Sequence, residues 1–408
     1  MKKFDSINIL SGLTVAVVAL PLALGFGITS GAGAQSGLVT AIVAGFLAAV
    51  FGGSNYQVSG PTGAMTVILI PLIASLGISA LFIVGLLAGA IMILLGLFRA
   101  GNLMEKVPWE VLEGFTIGIA FVIAMQQAPL VFNVEKGEGE GALEIFLATL
   151  GNVEWSSLEI STVAVVVATL LTKFIWSSIR KRFRRAGHLP ASIVAVSLVT
   201  LATLHLEIAR IGEISIAGLF SFNPQFEGFP IATLLHAAIV VALLGGIESL
   251  LAARMADAMV HRERRVEIDS HDPNRELIGQ GIATVGASMV GGMPATGAIA
   301  RTSVNVFAGA THRSSAAMHA LFLLGFITLF DQLVALIPLA VLGGVLLGTS
   351  LRIANPRSIR EALQTRWQGR VVLITTATIT MSVDLMWAFI IGISLAFTLD
   401  RLTVRKRN

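Results

Sequence analysis

The sequence predicts an all-α membrane protein that crosses the bilayer many times. Composition is the first observation: 55% of the 408 residues are hydrophobic and only 13% are charged, whereas a soluble domain contains about 25% charged residues. The second is the recurrence of apolar runs of about 20 residues, the length that crosses a bilayer as a helix. The chain therefore lacks the polar surface of a soluble protein, and no soluble domain of useful size fits between the runs.

About fourteen spans are expected, several of them short. The N-terminal run is interpreted as a retained first helix and not as a signal peptide, because it has no clear small-residue cleavage site. The predicted span cores are residues 9–29, 33–51, 61–76, 78–98, 109–132, 157–179, 188–206, 231–254, 276–291, 296–308, 315–331, 333–350, 369–383 and 385–402.

Positive charge is concentrated in alternate loops. With the N-terminus inside, the inner loops hold most of the Lys and Arg residues, including clusters at 180–185, 262–265 and 352–370, while the outer loops hold essentially Lys136 and Arg210. This positive-inside pattern favours an even number of spans and places both termini in the cytoplasm, with a bacterial inner membrane as the expected location. It also explains the net charge of +4 without a nucleic-acid partner.

Several kinds of site are missing from the sequence. Cys is absent, which excludes disulfides and thiolate metal sites, and the seven His residues have no metal-ligand spacing. The sequence contains no HExxH zinc pair and no P-loop. We therefore expect no metal and no cofactor, and we do not expect an enzyme.

Two similar segments interrupt apolar runs in the two halves of the chain. They are VSGPTGA at 58–64 and MPATGA at 293–298, each preceded by a Gly pair. Each takes the third position of a unit of about seven spans, which makes the two units inverted relative to each other. The predicted organisation is a first repeat at 1–206, an external connection at 207–230 and a second repeat at 231–408. Paired interruptions of this kind indicate the binding site of a transporter.

Pro61 and Pro294 are expected at the starts of two half-helices. A helix start presents free backbone N–H groups and the positive end of the helix dipole, which suits an anion. Thr62 and Thr296 would add hydroxyl donors at the same helix tips. A Pro-Thr-Gly sequence is also an ordinary turn at a helix start, but the matched pair favours a binding site over two turns.

Glu248 and Arg301 are charged residues placed well inside predicted spans. A charged carboxylate at a helix centre costs about 2.5–3.5 kcal/mol, so Glu248 needs a partner, water or a proton. Reversible protonation of Glu248 is one interpretation; a structural salt bridge or a kink-lining carboxylate is the other. Arg301 either attracts an anion or only neutralises Glu248, and the two roles are compatible.

Four segments resemble the SulP family, the sulfate permease group of anion transporters, in order and spacing over nearly the whole chain. They are ALPLALGFG at 19–27, VSGPTGA at 58–64, GIESLL at 246–251 followed by NRELIGQG at 274–281, and GGMPATGAIARTSVN at 291–305. The resemblance implies two inverted repeats of about seven spans, with half-helices in spans three and ten. It also implies a core domain that carries the substrate against a gate domain in an elevator-like movement.

The resemblance also implies where the anion binds. We combine the positions that match the family's binding residues with the residues expected at the two helix starts. Glu248 lies adjacent as the expected proton-coupling residue. The expected substrate-binding residues are Phe26, Thr62, Gly63, Thr296, Gly297, Ala298, Ile299, Ala300 and Arg301.

Two departures from the family affect what the chain is expected to do. Members thought to couple to sodium place an Asp at the position of Glu248 and hydroxyl residues near it, where this chain has Ala252 and Ile299. We therefore expect H⁺–anion symport of a small oxyanion, with bicarbonate slightly ahead of sulfate. The alternatives are an uncoupled anion channel or exchanger, and a dicarboxylate or nucleobase symporter on the same fold.

The second departure is the end of the chain at Asn408. Family members usually continue into a cytoplasmic STAS domain, so we expect the transmembrane part without a STAS domain. The sequence does not decide whether the chain forms a homodimer. The expected partners are a small inorganic anion, a proton and the lipid bilayer.

Overall fold

The computed structural model shows a helical chain, as the sequence predicts. Two short strands are the exceptions within the residues it describes. Most of the expected external connection 207–230 and part of the basic cluster 180–185 lie outside those residues. The structure describes residues 5–104, 107–139, 142–156, 159–182, 190–212, 230–264, 270–354, 359–360, 364, 366–382 and 385–405.

The first half of the chain forms α1 to α11 and β1. Helix α1 ends because Gly31 takes a left-handed φ of 85°, a conformation open to glycine. The bounds are α1 Ser6–Ser30, α2 Ala34–Val39, a π-helical turn Thr40–Ala44, α3 Gly45–Phe51, β1 Ser59–Gly60, α4 Gly63–Leu76, α5 Ala80–Leu97, α6 Gly101–Met104, α7 Trp109–Met125, α8 Ala128–Phe132, α9 Ala142–Gly151, α10 Ile160–Arg182 and α11 Ala191–Ala202.

The second half forms α12 to α18 and β2. Helix α13 has a strong start, because the Asp272 carboxylate accepts hydrogen bonds from the N–H groups of Asn274 and Arg275, and Pro273 is its first residue. The bounds are α12 Ile231–Arg264, α13 Pro273–Met289, β2 Thr296–Gly297, α14 Ile299–Phe307, α15 Ser314–Ala335, α16 Leu339–Ile353, α17 Trp367–Ser382 and α18 Leu385–Arg405.

Among the described residues, seven helical stretches are long and apolar enough to cross a membrane. Shorter apolar helices accompany them, among them α4, α9, α11 and α16. The seven are Ser6–Ser30, Ala34–Phe51, Ala80–Leu97, Trp109–Phe132, Ile160–Ile179, Ile231–His261 and Ser314–Ala335.

Three differences from the sequence expectation concern where a helix is divided, where one ends and where one forms without having been predicted. The predicted span 109–132 is divided into α7 and α8, because Pro129 has no N–H group to continue the helical hydrogen bonding. The predicted span 231–254 continues as α12 to Arg264, because its polar last turns still favour a helix. Helix α9 was not predicted, because its charged first turn at Glu144 resembles an acidic loop.

The residues cluster into two compact units, each drawn from both halves of the chain. The first unit is Met1–Glu105 with Leu171–Leu342. Inside it α5 and α13 touch backbone to backbone: a Cβ on Gly89 would lie 2.6 Å from the Gly281 carbonyl oxygen. Such close contact through small residues is typical of membrane helices.

The second unit is Lys106–Leu170 with Gly343–Asn408. Helices α7 and α17 pack in it through Gly114, whose Cβ would lie 2.5 Å from the Leu373 carbonyl oxygen. The ring of Phe115 meets Phe389 of α18 edge to face, with centroids 4.5 Å apart.

Candidate functional site

The two Pro-containing segments of the sequence lie side by side. Strands β1 and β2 pair antiparallel, with Ser59 opposite Gly297 and Gly60 opposite Thr296. The Ala298 N–H extends the pairing by donating to the Val58 carbonyl at 3.0 Å. Because each strand leads directly into a helix, α4 and α14 begin from neighbouring positions inside the first unit.

Both helix starts present backbone donors. Thr62 and Ala298, the N-cap residues of α4 and α14, have extended backbones, and neither makes a side-chain capping hydrogen bond to its helix. The first N–H groups of a helix have no partner within the helix, and the helix dipole adds partial positive charge there. Each helix start is therefore suited to an anion.

Glu248, near the middle of α12, contacts both Pro-containing segments. Its Oε2 accepts hydrogen bonds from the Thr296 hydroxyl at 2.7 Å and from the Thr62 hydroxyl at 3.0 Å. The two hydroxyl oxygens are 3.0 Å apart. Thr62 and Thr296 are buried, while Glu248 is half-buried. Three side chains from three separate segments of the chain thus meet in one triangle of close oxygen atoms.

Arg301, the third residue of α14, lies against β1. Its side chain is 1% exposed, and its Nη2 donates to the carbonyl of Pro61. Its Nη1 has no hydrogen-bond partner among the described residues. A Cβ on Gly60 would lie 2.3 Å from this nitrogen, so only glycine leaves room for the guanidinium. Arg301 is thus held by the protein through Nη2, while its buried Nη1 is unpartnered among the described residues.

Polar side chains that the sequence reasoning did not assign hold this arrangement together. The Ser249 hydroxyl accepts from the Gly297 N–H at 3.0 Å and donates to the Gly245 carbonyl at 2.6 Å. The Gln280 amide accepts from the Ser59 hydroxyl at 2.7 Å and donates to the Ala295 carbonyl at 2.8 Å. In the sequence, Ser249 and Gln280 are marked only as polar residues within apolar helices, which does not identify their partners.

The remaining predicted site residues lie at the two helix starts or on a helix that packs against them. Gly63 opens α4, and Ile299 and Ala300 open α14, where they are partly exposed. Phe26 is buried in α1, which packs against both α4 and α14. The partly exposed edge formed by Glu248 and the start of α14 is where a ligand could approach.

The donor set determines what such a site can do. It combines helix amides, two hydroxyls and a guanidinium around one carboxyl group, which suits binding and release of an oxyanion. In the described part of the chain, no group of three or more His, Cys, Asp or Glu residues could hold a metal ion.

Comparison with known proteins decides the family. The model of the sulfate permease family matches residues 6–376. The chain belongs to this family. It is 33% identical to the putative sulfate transporter YvdB of Bacillus subtilis over 97% of this chain and 73% of that protein. It is 34% identical to the bicarbonate transporter BicA of Synechocystis over 97% of this chain and 70% of that protein.

Solved structures agree with this assignment. The transmembrane domain of a cyanobacterial bicarbonate transporter BicA matches 96% of this chain and 97% of that chain, with a TM-score of 0.81 and 30% identity. The murine Slc26a9 anion transporter in the inward-facing state matches 99% of this chain and 69% of that chain, with a TM-score of 0.83. At 14% identity the second match shows the fold alone. The predictions of a multi-pass membrane protein and of a transporter, not an enzyme, are confirmed by the family.

Proposed function

We propose that this chain is a secondary active transporter that carries a small oxyanion, bicarbonate or sulfate, across the membrane together with a proton. Relatives named as sulfate and bicarbonate transporters support the anion class. The helix starts of α4 and α14, which their N-cap side chains leave uncapped, and the unpartnered Nη1 of Arg301 support binding between those helices.

The observation that carries proton coupling is the triangle at Glu248. Three oxygen–oxygen contacts of 3.0 Å or less join Glu248, Thr62 and Thr296. The two hydroxyl groups supply only two protons for these three contacts. A proton on Oε2 of Glu248 would supply the third, so that every contact becomes a hydrogen bond. We infer that Glu248 carries the transported proton.

Charge explains how the proton and the anion would move together. A carboxylate at Glu248 repels an anion held by the same helix starts, and this repulsion is strong away from bulk water. Protonation removes it and allows the anion to bind beside Arg301. Release of the proton restores the negative charge and promotes release of the anion. Sodium is a poorer coupling ion here, because Ala252 and Ile299 have no side-chain oxygen.

The finer architecture is part of the same proposal. About fourteen spans form inverted repeats at 1–206 and 231–408, with α4 and α14 as the half-helices of spans three and ten. All proposed site residues belong to the first unit, which we infer to be the core domain of an elevator-type transporter. The loop charges support a bacterial plasma membrane with both termini cytoplasmic.

Uptake into proteoliposomes tests the coupling. The purified chain is given labelled sulfate outside, with or without an alkaline interior, and unlabelled bicarbonate as a competitor. Proton symport predicts accumulation of label above equilibrium only with the pH gradient, and its loss when a protonophore is added. Flux that follows the anion gradient alone would favour an uncoupled channel or exchanger.

Two carboxyl variants separate coupling from binding. Glu248→Gln keeps the shape and one acceptor oxygen but cannot release a proton, so pH-driven accumulation is lost while anion exchange continues. Glu135→Gln changes an exposed carboxyl group in a loop and is the matched control. Unchanged pH-driven accumulation in Glu248→Gln would overturn the proposed role of Glu248.

A further inference from the structure

The segment between α13 and β2 leads directly to the Glu248 triangle. Its residues, 290–295, form no helix or strand, and Met293 near its middle is 0% exposed. Buried backbone groups need partners, and a segment outside regular structure has no helix or sheet of its own to supply them. Other parts of the chain must therefore hold this segment. Its position in turn determines that of Thr296, three residues beyond Met293.

The side chain of Thr40 supplies a partner for the Met293 backbone. Its Oγ1 accepts a hydrogen bond from the Met293 N–H at 2.7 Å and lies 3.1 Å from the Met293 carbonyl oxygen. The same hydroxyl can donate to the Ser36 carbonyl at 2.7 Å, one turn earlier in α2. Thr40 is 0% exposed, so bulk water does not reach this contact. One hydroxyl group thus links α2 to a backbone segment 253 positions away.

Helix α2 is itself fixed against α1. A Cβ on Gly37 would lie 2.0 Å from the Ala23 carbonyl oxygen, so the two helix backbones are in direct contact. Helix α1 also carries Phe26, another of the predicted site residues. Thr40 begins the π-helical turn, a departure from the regular helix that is frequent at functional sites. It therefore joins the helix pair that carries Phe26 to the segment that leads to Thr296.

The matching segment in the first half of the chain is held in the same way, but farther from its Thr. Oε2 of Glu276 accepts from two adjacent N–H groups, the second being that of Ser54 at 3.0 Å. Each segment is thus held by a side chain from the other half of the chain. The hydrogen bond at Ser54 lies eight residues before Thr62, whereas that of Thr40 lies three residues before Thr296. Thr40 therefore acts closer to the triangle.

We propose that Thr40 is a positioning residue for the anion site: it holds Met293 so that Thr296 and the start of α14 keep their places. This role rests on the proposed function, and Thr40 itself does not touch the anion. Loss of the hydroxyl leaves the buried Met293 N–H without this acceptor, which is costly, so the segment shifts toward another partner. The shift displaces Thr296 and weakens anion binding. The charges that drive transport stay in place, so the KM rises more than the maximal rate falls.

Three Thr variants test the hydrogen bond to Met293. Thr40→Val keeps the branched shape and removes the hydroxyl, whereas Thr40→Ser keeps the hydroxyl. Thr169→Val is the matched control, because Thr169 is also 0% exposed and its hydroxyl donates to the Val165 carbonyl within its own helix at 2.8 Å. Hydrogen exchange of peptides that cover 290–296 is the first measurement. We expect Thr40→Val to raise the exchange rate there about tenfold, and the other two variants to leave it unchanged.

The KM for the anion is the second measurement, taken from initial uptake rates per folded molecule. Relative to Thr169→Val, we expect Thr40→Val to raise the KM about fivefold or more, with a smaller change in maximal rate. Thr40→Ser should keep the KM of the wild type. A role in stability alone would lower the unfolding midpoint of Thr40→Val without changing the KM of the molecules that fold.

Two results would overturn the proposal. The first is exchange at 290–296 in Thr40→Val equal to that in Thr169→Val, which would show that Thr40 does not hold Met293. The second is faster exchange with an unchanged KM, or an equal rise of the KM in Thr40→Ser, which would exclude the positioning role. Exchange needs no transport. A chain that moved no anion would therefore contradict the proposed function, while the exchange result would still decide whether Thr40 holds Met293.

Discussion

Thr62 and Thr296 are 234 positions apart in the sequence, yet their hydroxyl oxygens lie 3.0 Å apart and both contact one carboxylate oxygen of Glu248. Neither hydroxyl caps the helix that follows it. The two groups are therefore available for a role other than helix stability, and the proposed role is to sense whether Glu248 carries a proton.

The first prediction concerns the Thr62 hydroxyl. Thr62→Val keeps the side-chain volume but removes the donor, and we expect initial anion uptake to fall about tenfold or more, the equivalent of one hydrogen bond to a charged group. Thr62→Ser keeps the hydroxyl and is expected to retain most of the uptake. Initial rates in proteoliposomes, normalised to folded protein, measure both variants. Equal rates for Val and Ser at this position would contradict the role.

Arg301 carries the second prediction. Arg301→Lys keeps the positive charge but replaces the planar guanidinium, whose Nη2 holds the Pro61 carbonyl while Nη1 points elsewhere, with a single ammonium nitrogen that would have to serve both partners from one position. We expect the KM for the anion to rise about tenfold or more, since a charged hydrogen bond is lost. Arg275→Lys, at an exposed Arg, is the control. A KM equal to that of the wild type in Arg301→Lys would show that charge alone is sufficient.

The third prediction tests the space at Gly60. Ala at this position would place its Cβ 2.3 Å from Nη1 of Arg301 and would also strain a backbone with φ 151°. Gly77→Ala isolates the backbone strain, because Gly77 has φ 75° and a Cβ there meets nothing within 4 Å. Gly77→Ala should lose about 1–2 kcal/mol of stability through backbone strain alone, and Gly60→Ala should lose at least as much. Only Gly60→Ala should also weaken anion binding, as measured by the KM for uptake.

Much of the fold and of the proposed site could be predicted from local features of the sequence. Apolar runs of bilayer length identify the helices without knowledge of their packing. Glu248 and Arg301 are identified as candidate site residues because a charge inside an apolar run is energetically costly. Thr62 and Thr296 follow from a repeated Pro-containing segment. The repeat requires a comparison of two distant segments, whereas each of the other signals is complete within a short window of the chain.

Other features depend on distant residues and leave no local signal. Strands β1 and β2 have two residues each, which is too short for an alternating pattern to appear. Ser249 and Gln280 each bond a backbone group of another segment, and nothing in their own helices identifies that group.

The last prediction separates the carboxyl group proposed to move a proton from one that only supports the structure. Oε2 of Glu276, a buried residue in the first turn of α13, accepts hydrogen bonds from the N–H groups of Gly53 at 2.8 Å and Ser54 at 3.0 Å. Glu276→Ala leaves both donors without this acceptor, at a cost of about 1–3 kcal/mol each. Thermal unfolding should therefore shift to clearly lower temperature.

Glu276→Gln provides the comparison, because a single amide oxygen can still accept from both N–H groups. We expect a smaller shift in its unfolding midpoint. The pH-driven uptake per folded molecule should be unchanged in Glu276→Gln, in contrast to Glu248→Gln. If both Gln variants abolished pH-driven accumulation equally, coupling could not be assigned to the triangle at Glu248, since a carboxyl group outside it would matter as much.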